Sequence, residues 1–148
     1  MPYYEDFEMG QTFISDRRTV TDGMATVLID VGGFTLPQFN DEISANETPL
    51  GWRALPGRVV FLLMGGLVER MGIFRSPGPG ILLGADKLKW KGIVRVGDTI
   101  YLEWKVTEMR KTSNPKWGIV KNTETLINQK GDVVLEVEIT HLFGYKPV

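Results

Sequence analysis

The sequence predicts an α+β fold in which a curved antiparallel sheet wraps around one long apolar helix. The helix candidate, roughly residues 58–71, is apolar on every face and therefore needs cover all round. It precedes several long strand-like segments whose connecting turns are too short for helical crossovers, which favours antiparallel neighbours. A flat sheet would leave apolar helix surface in water, at about 25 cal/mol per Å². We expect a single domain over residues 1–148.

The first third of the chain predicts short elements. Residues 11–15 form a strand candidate, and Thr21 is a candidate N-cap for a helix with apolar residues at helical spacing that ends at the Gly32-Gly33 pair. We expect a loop at 34–41 and one or two helical turns at 41–47.

The central helix opens at Pro56-Gly57. Its interior glycines, Gly65 and Gly66, each cost about 1 kcal/mol relative to alanine. We expect them to allow close approach of another backbone.

The second half of the chain predicts strands. Segments 81–90 and 117–128 are strand-like, and two further segments alternate apolar and polar residues. The residues expected to share inward faces are Ile100, Leu102, Trp104 and Val106 in one strand, and Val133, Leu135, Val137, Ile139, His141 and Phe143 in the other. Such a sheet keeps an open edge and an incompletely covered helix, so we expect a homodimer.

Composition excludes several function classes. A net charge of −1 gives no electrostatic footprint for nucleic acid. With no cysteine and one histidine, we expect neither a metal site nor another cofactor. The longest apolar run, 59–68, is shorter than the roughly 20 residues of a membrane span, and no signal peptide is visible. We expect a cytoplasmic protein without membrane contact.

Several segments in order carry a family resemblance. They are YYEDFEMGQTF, RRTVTD, GGFTLPQFNDEISANETPLG, ALPGRVVFLLMGGLVE, LKWKGIVRVGDTI, RKTSNPKWGIV and INQKGDVVLEV. Over nearly its whole length the chain resembles the MaoC-like hot-dog dehydratases, which include the R-specific enoyl-CoA hydratases. The resemblance implies a hot-dog fold, an acyl-thioester ligand such as an enoyl-CoA or 3-hydroxyacyl-CoA, and hydratase or dehydratase chemistry.

The family's catalytic loop has a pattern close to G-D-x-N-P-x-H-x-D, and residues 33–41 match it here. Phe34 stands at the Asp position and Phe39 at the His position. A phenyl ring cannot transfer a proton, so the family's acid–base pair is missing. Asp30, Asp41 and His141 are the remaining candidates. Each has a structural alternative: a solvated helix flank for Asp30, an N-cap for Asp41, and a hydrogen-bonded core or interface residue for His141.

The resemblance also implies binding residues. Backbone N–H groups at Gly57 and Arg58 are candidates to stabilise an enolate oxygen, unless they are a simple helix start. The basic segment 110–121 is a candidate for coenzyme A, with Lys111 and Lys116 on the phosphates and Trp117 stacking on adenine, or else a solvated hairpin tip. The residues expected around the acyl group, or else in ordinary core, are Phe34, Thr35, Phe39, Trp90 and Trp104.

Three functions remain open. The first is a hydratase or dehydratase with an altered proton-transfer set. The second is a catalytically degenerate binding or partner subunit, in a homodimer or beside a second hot-dog chain. The third is redirected chemistry, in specialised metabolism or as a thioesterase, for which Glu69 is the carboxylate candidate unless it only pairs with Arg70.

Overall fold

The computed structural model describes residues 1–147. Its strands and helices, in chain order, are β1 (Thr12–Ile14), β2 (Arg18–Thr19), α1 (Asp22–Gly32), α2 (Pro37–Asn40), α3 (Glu42–Asn46), α4 (Gly57–Arg70), β3 (Gly80–Trp90), β4 (Thr99–Lys111), β5 (Trp117–Asn128) and β6 (Val133–Gly144). Two short 3₁₀ turns cover Tyr4–Asp6 and Gly72–Arg75.

The strands form one antiparallel sheet in the order β1-β4-β5-β6-β3, and β2 also pairs with β4. Tight turns connect the neighbouring strands β4 and β5, and β5 and β6, as the sequence predicts. The expectation is wrong for β3 and β4, because β3 pairs with β6 and not with the next strand along the chain. The outer edge of β3 pairs with no strand of the described chain, and Ile81, Leu82 and Leu83 on it are exposed. This edge is therefore open to pairing with another chain.

Helix α4 packs its apolar stripe on the sheet and is the centre of the core. Its six buried residues are Val59, Val60, Leu63, Met64, Leu67 and Val68. The expectation of cover on every side is wrong for the single chain, because Arg58, Leu62, Gly65 and Glu69 stay exposed along one face. Added Cβ atoms at Gly65 and Gly66 would meet nothing within 4 Å in the described residues, so no backbone of this chain approaches them closely.

Most of the local structure predicted for the N-terminal third is confirmed. The Thr21 hydroxyl accepts a hydrogen bond from the Met24 N–H at 3.3 Å, and Gly33 ends α1 with φ of 68°. The expected loop at 34–41 is partly wrong because it contains the single turn α2, which begins at Pro37. The Asn40 side-chain amide stabilises this turn by donating to the Phe34 carbonyl oxygen at 2.8 Å.

The inward faces of β4 and β6 follow the predicted alternation with one exception. Trp104 and its predicted neighbours on β4 are buried, and so is His141 on β6. Val133 is only half-buried, because Val134 is an extra residue between the pairs Leu126–Leu135 and Ile127–Val133. This bulge shifts the phase at the start of β6 and turns Val134 into the core.

Within residues 1–147, no helix combines the length and apolar character that crossing a membrane requires.

Candidate functional site

A cavity of about 500 Å³ lies between the exposed face of α4 and the inner face of the sheet. We call it the α4 cavity. Its helix wall includes Arg58, Phe61, Leu62, Gly65 and Glu69, and its sheet wall includes Leu82, Glu124, Ile139 and His141. Most of this lining is apolar, and Glu124 and His141 are the titratable side chains of its sheet wall. A concave apolar pocket with a few convergent polar groups is the usual form of a small-molecule site.

Glu124 is a carboxyl group held in the interior of the sheet. It lies on β5 opposite Trp104 of β4, with 4% of its surface exposed. The Asn122 side-chain amide donates to its Oε1 at 3.3 Å. The Trp104 indole N–H also favours the charged form, although it makes no hydrogen bond of normal geometry within the described residues. Desolvation outweighs both groups and raises the pKa of Glu124 to about 7.

His141 is the second buried titratable group of the α4 cavity. It lies on β6 opposite Val120 of β5 and is 6% exposed. Its ring centroid is 5.3 Å from that of Phe143. Burial lowers the pKa of His141 to about 4, so the imidazole is neutral at pH 7. Its Nδ1 atom is buried and has no hydrogen-bond partner in the described chain.

The start of α4 reaches the same cavity through Arg58. Pro56 provides no side-chain cap, and its carbonyl oxygen accepts from the N–H groups of Val59 and Val60. The N–H groups of Gly57 and Arg58 find no acceptor among residues 1–147. Two free N–H groups at the start of a helix form a partly positive site for an oxyanion.

Trp90 fixes where α4 begins relative to the sheet. Its indole N–H donates to the Gly57 carbonyl oxygen at 2.9 Å, and a Cβ at Gly57 would come within 2.8 Å of that nitrogen. Trp90 pairs with Leu135, which pairs with Leu126. Glu124 lies two residues from Leu126 on the same face, which is about 7 Å along the strand. Glu124 also lines the same cavity as Arg58 and Phe61, so its carboxyl faces the first turns of α4.

The loop that follows α1 lies outside the α4 cavity. Phe34 and Phe39 pack edge to face, with their ring centroids 6.4 Å apart. Asp30, Phe34 and Thr35 line a separate hollow of about 330 Å³. The Asp41 carboxylate accepts from the N–H groups of Ile43 and Ser44, which confirms the N-cap alternative.

The hydroxyl of Ser44 also donates to Asp41, and this hydrogen bond is the main reason why the pKa of Asp41 is lowered. An acceptor that already holds three donors is a weak base. Glu69 forms no ion pair with Arg70 in the described residues and lines the α4 cavity instead.

The basic hairpin between β4 and β5 lies far from the start of α4. Lys111 and Lys116 are exposed and Trp117 is half-buried. The Thr112 hydroxyl stabilises the hairpin by donating to the Trp117 carbonyl oxygen at 2.7 Å. On β5, Gly118 lies at the hairpin and Leu126 lies towards the start of α4. The two residues are about 27 Å apart along the strand. One chain therefore does not bring the hairpin and the helix start together.

Glu124 and its hydrogen-bond donor, Asn122, are not among the candidate site residues that the sequence predicts. A signal was present, because both share their strand phase with Val120 and Leu126, which are apolar. Because Asn122 and Glu124 are polar residues at inward positions, the sequence of β5 alternates less regularly than that of β4. Metal chemistry has no comparable support, since no group of three His, Asp or Glu side chains converges within residues 1–147.

The comparisons with known proteins agree with this architecture. Residues 9–137 match the family model described as FAS1-like, dehydratase domain region. The chain is 29% identical over 107 residues to a 3-hydroxybutyryl-CoA dehydratase of Methylorubrum extorquens, covering 72% of this chain and 65% of that protein, less than two thirds of its length. It is 29% identical over 138 residues to an (R)-specific enoyl-CoA hydratase of Rhodospirillum rubrum, covering 93% of this chain and 89% of the relative.

Solved structures show the same fold. A MaoC-like dehydratase from Rhodospirillum rubrum superposes with a TM-score of 0.82 at 26% identity, over 99% of each chain. A Mycobacterium tuberculosis protein with a double hot-dog fold superposes with a TM-score of 0.81 at 21% identity, over 99% of this chain and 45% of that one. The predicted hot-dog fold is therefore confirmed. The chain belongs to the FAS1-like dehydratase domain family, among the MaoC-like enoyl-CoA hydratases and dehydratases.

Proposed function

We propose that this protein reversibly hydrates an enoyl thioester of coenzyme A, with Glu124 as the proton-transfer group. The observation that carries the proposal is a buried carboxyl with a pKa of about 7 in an apolar cavity beside the start of α4. A general base is most effective when its pKa lies near the working pH. The names of the two curated relatives support a coenzyme A thioester as the ligand.

The proposed reaction balances with one carboxyl group. The Glu124 carboxylate takes a proton from water as the water oxygen bonds to Cβ of the enoyl group. The electron pair of the double bond moves to the thioester oxygen, where the free N–H groups of Gly57 and Arg58 stabilise the enolate. Protonated Glu124 then gives its proton to Cα, which yields the 3-hydroxyacyl thioester and restores the carboxylate. Dehydration is the reverse.

In this proposal Glu124 replaces Asp30, Asp41 and His141 as the proton-transfer group. Asp41 is engaged as a helix cap, and Asp30 opens to a different hollow. His141 shares the α4 cavity with Glu124 but lies further from the start of α4. Among the titratable groups of the cavity, Glu124 therefore has the most suitable combination of pKa and position.

A second copy completes the proposed site. Antiparallel pairing of two β3 edges would cover Ile81 and Leu83 and close the open side of the α4 cavity. It would also reverse the strand direction in the second copy. The second copy's Lys111, Lys116 and Trp117 would then lie at the same end of the combined sheet as the first copy's α4 start. Coenzyme A phosphates and the thioester could thus be held by different subunits.

The test is an assay of the purified wild-type protein with short, medium and long trans-2-enoyl-CoA substrates. We expect protein-dependent loss of the enoyl-thioester absorbance and formation of the 3-hydroxyacyl-CoA. Release of free thiol instead would indicate thioester hydrolysis. No reaction at any chain length from a folded protein would reject the proposed hydration.

One observation favours a second candidate, a non-catalytic binding or partner subunit. The rings of Phe34 and Phe39 pack on each other at the loop where the family resemblance places the acid–base pair. Such a subunit would bind enoyl-CoA in calorimetry without converting it. It would support turnover only when mixed with a second hot-dog chain that carries the intact pair.

A further inference from the structure

His141 is a polar group in the sheet wall of a cavity that is otherwise mostly apolar. It faces the α4 cavity from β6, next to Ile139 on the same side of the sheet. The charged or titratable residues that share the cavity are Arg58 and Glu69 on α4, Glu124 on β5, and Met1, whose α-ammonium donates to the Ser76 carbonyl oxygen. The structure pairs none of these four with the imidazole. The side chain is nevertheless 94% buried, as its exposure of 6% shows.

Burial without a partner is unfavourable for an imidazole. The neutral ring carries one N–H donor and one bare nitrogen acceptor. Nδ1 has no partner in the described residues and almost no accessible surface, so a ligand in the cavity does not reach it. Nε2 also makes no hydrogen bond within residues 1–147 and is the ring nitrogen that keeps accessible surface, so it is the polar atom that a ligand group in the cavity can meet.

We propose that the α4 cavity binds acyl chains that carry an uncharged hydrogen-bonding group, a hydroxyl, at the depth of His141. A hydroxyl both donates and accepts, so it can satisfy the imidazole in either tautomer. At the depth of His141 a carboxylate or ammonium group would lose its hydration against a neutral imidazole and apolar neighbours, whereas a hydroxyl needs no counter-ion there. The inference rests on the proposed function only in taking an acyl thioester as the ligand.

The sheet register gives the depth of this polar position. His141 pairs with Val120, whereas Glu124 lies four residues further along β5. The two side chains are therefore about 13 Å apart along the strand. Glu124 is near the start of α4, and His141 is towards its other end, beside Leu82. A thioester held at the start of α4 places the distal part of a medium or long acyl chain against His141.

The experiment compares matched pairs of saturated ligands, which bind but cannot be hydrated. Octanoyl-, decanoyl-, dodecanoyl- and tetradecanoyl-CoA are each titrated beside their ω-hydroxy forms in calorimetry, with the wild-type protein in its native oligomeric state. We expect the hydroxyl to tighten binding about tenfold at one chain length and to weaken it at shorter lengths. A preference for the methyl terminus at every length would overturn the proposal.

The His141→Phe variant tests the residue itself, since phenyl keeps the ring volume without nitrogen atoms. It should bind the plain acyl-CoA at least as tightly as wild type and lose the tenfold hydroxyl preference. His141→Gln, which keeps a donor and an acceptor, should retain part of the preference and serves if the Phe variant does not fold. A hydroxyl preference that survives in His141→Phe would also overturn the proposal.

Binding and catalysis can fail separately in this design. Selective binding of hydroxylated ligands without any enoyl-CoA hydration would support the polar position and reject only the proposed reaction. If neither member of any pair binds, both the polar position and the thioester ligand of the proposed function are rejected.

Discussion

Glu124 differs from the other carboxyl groups of β5 and β6 in its surroundings. Glu138 lies on the outer face of the sheet and pairs with Lys87, with 2.8 Å between Oε1 and Nζ. Glu124 faces inward and has Asn122, an uncharged amide, as its hydrogen-bond donor. With no cation in contact to hold the carboxylate form, desolvation decides the pKa of Glu124. A glutamate is therefore a solvated ion-pair partner on the outer face of the sheet and a candidate acid–base group on the inner face.

The raised pKa predicts how stability depends on pH. Because Glu124 has a folded-state pKa of about 7 and an ordinary value of 4.5, its contribution is fully present below pH 4.5. That contribution is lost as the pH rises through about 7. Glu124→Gln removes the ionisation, so the variant should gain stability relative to wild type between about pH 5 and about pH 8, by up to about 3 kcal/mol.

Urea unfolding at both ends of this pH range measures the difference. Glu138→Gln, which changes a surface ion pair, is the matched control and should follow the wild-type pH dependence. Parallel curves for wild type and Glu124→Gln would contradict a buried carboxyl with a raised pKa.

At the scale of elements, β4 and α4 were predictable because their patterns are simple. In β4, Ile100, Leu102 and Trp104 alternate with residues of the outer face. The Pro56-Gly57 pair marks the start of α4. The β5 strand is different, because Asn122 and Glu124 occupy inward positions that usually hold apolar residues. Their burial follows from how α4 and β4 pack around β5, and that packing is a long-range property which local periodicity does not contain.

The open space beside the exposed face of α4 predicts which acyl-chain lengths the α4 cavity accepts. Gly65 leaves an open space in the wall of the α4 cavity, with no atom within 4 Å of an added Cβ. Gly65→Leu should fill part of the cavity and lower kcat/KM for long enoyl-CoA substrates about tenfold or more, with little change for the shortest.

Gly23→Leu on α1 is the control, because its added Cβ also meets nothing within 4 Å but lies outside the cavity. An unchanged chain-length profile in Gly65→Leu would show that the acyl group binds elsewhere.

At the scale of the whole molecule, the open β3 edge and the open face of α4 belong to one surface. Leu62 and Leu82 are 61% and 62% exposed, and both line the α4 cavity. The sequence predicted that a second copy would cover such a surface. It could not predict that the start of α4 and the basic hairpin lie at opposite ends of one sheet, since that follows from the strand order.

The dimer proposal has its own test. Leu83→Lys places a charge at the exposed β3 edge, where an intersubunit strand pair would exclude water. Sedimentation equilibrium should show a dimer for wild type and a dissociation constant at least about tenfold weaker for the variant. Val31→Lys on α1, at a residue 83% exposed, should leave the dimer intact. A monomeric wild-type protein would contradict the shared site.

The central claim is that Glu124 transfers the proton, and the direct measurement is the hydration rate of Glu124→Gln. The variant keeps the shape of the side chain but cannot accept a proton. We expect kcat to fall by about 10² to 10⁴ on the best enoyl-CoA substrate, with Glu138→Gln at the wild-type rate. If Glu124→Gln hydrates the substrate as fast as wild type, the α4 cavity does not use this carboxyl for catalysis.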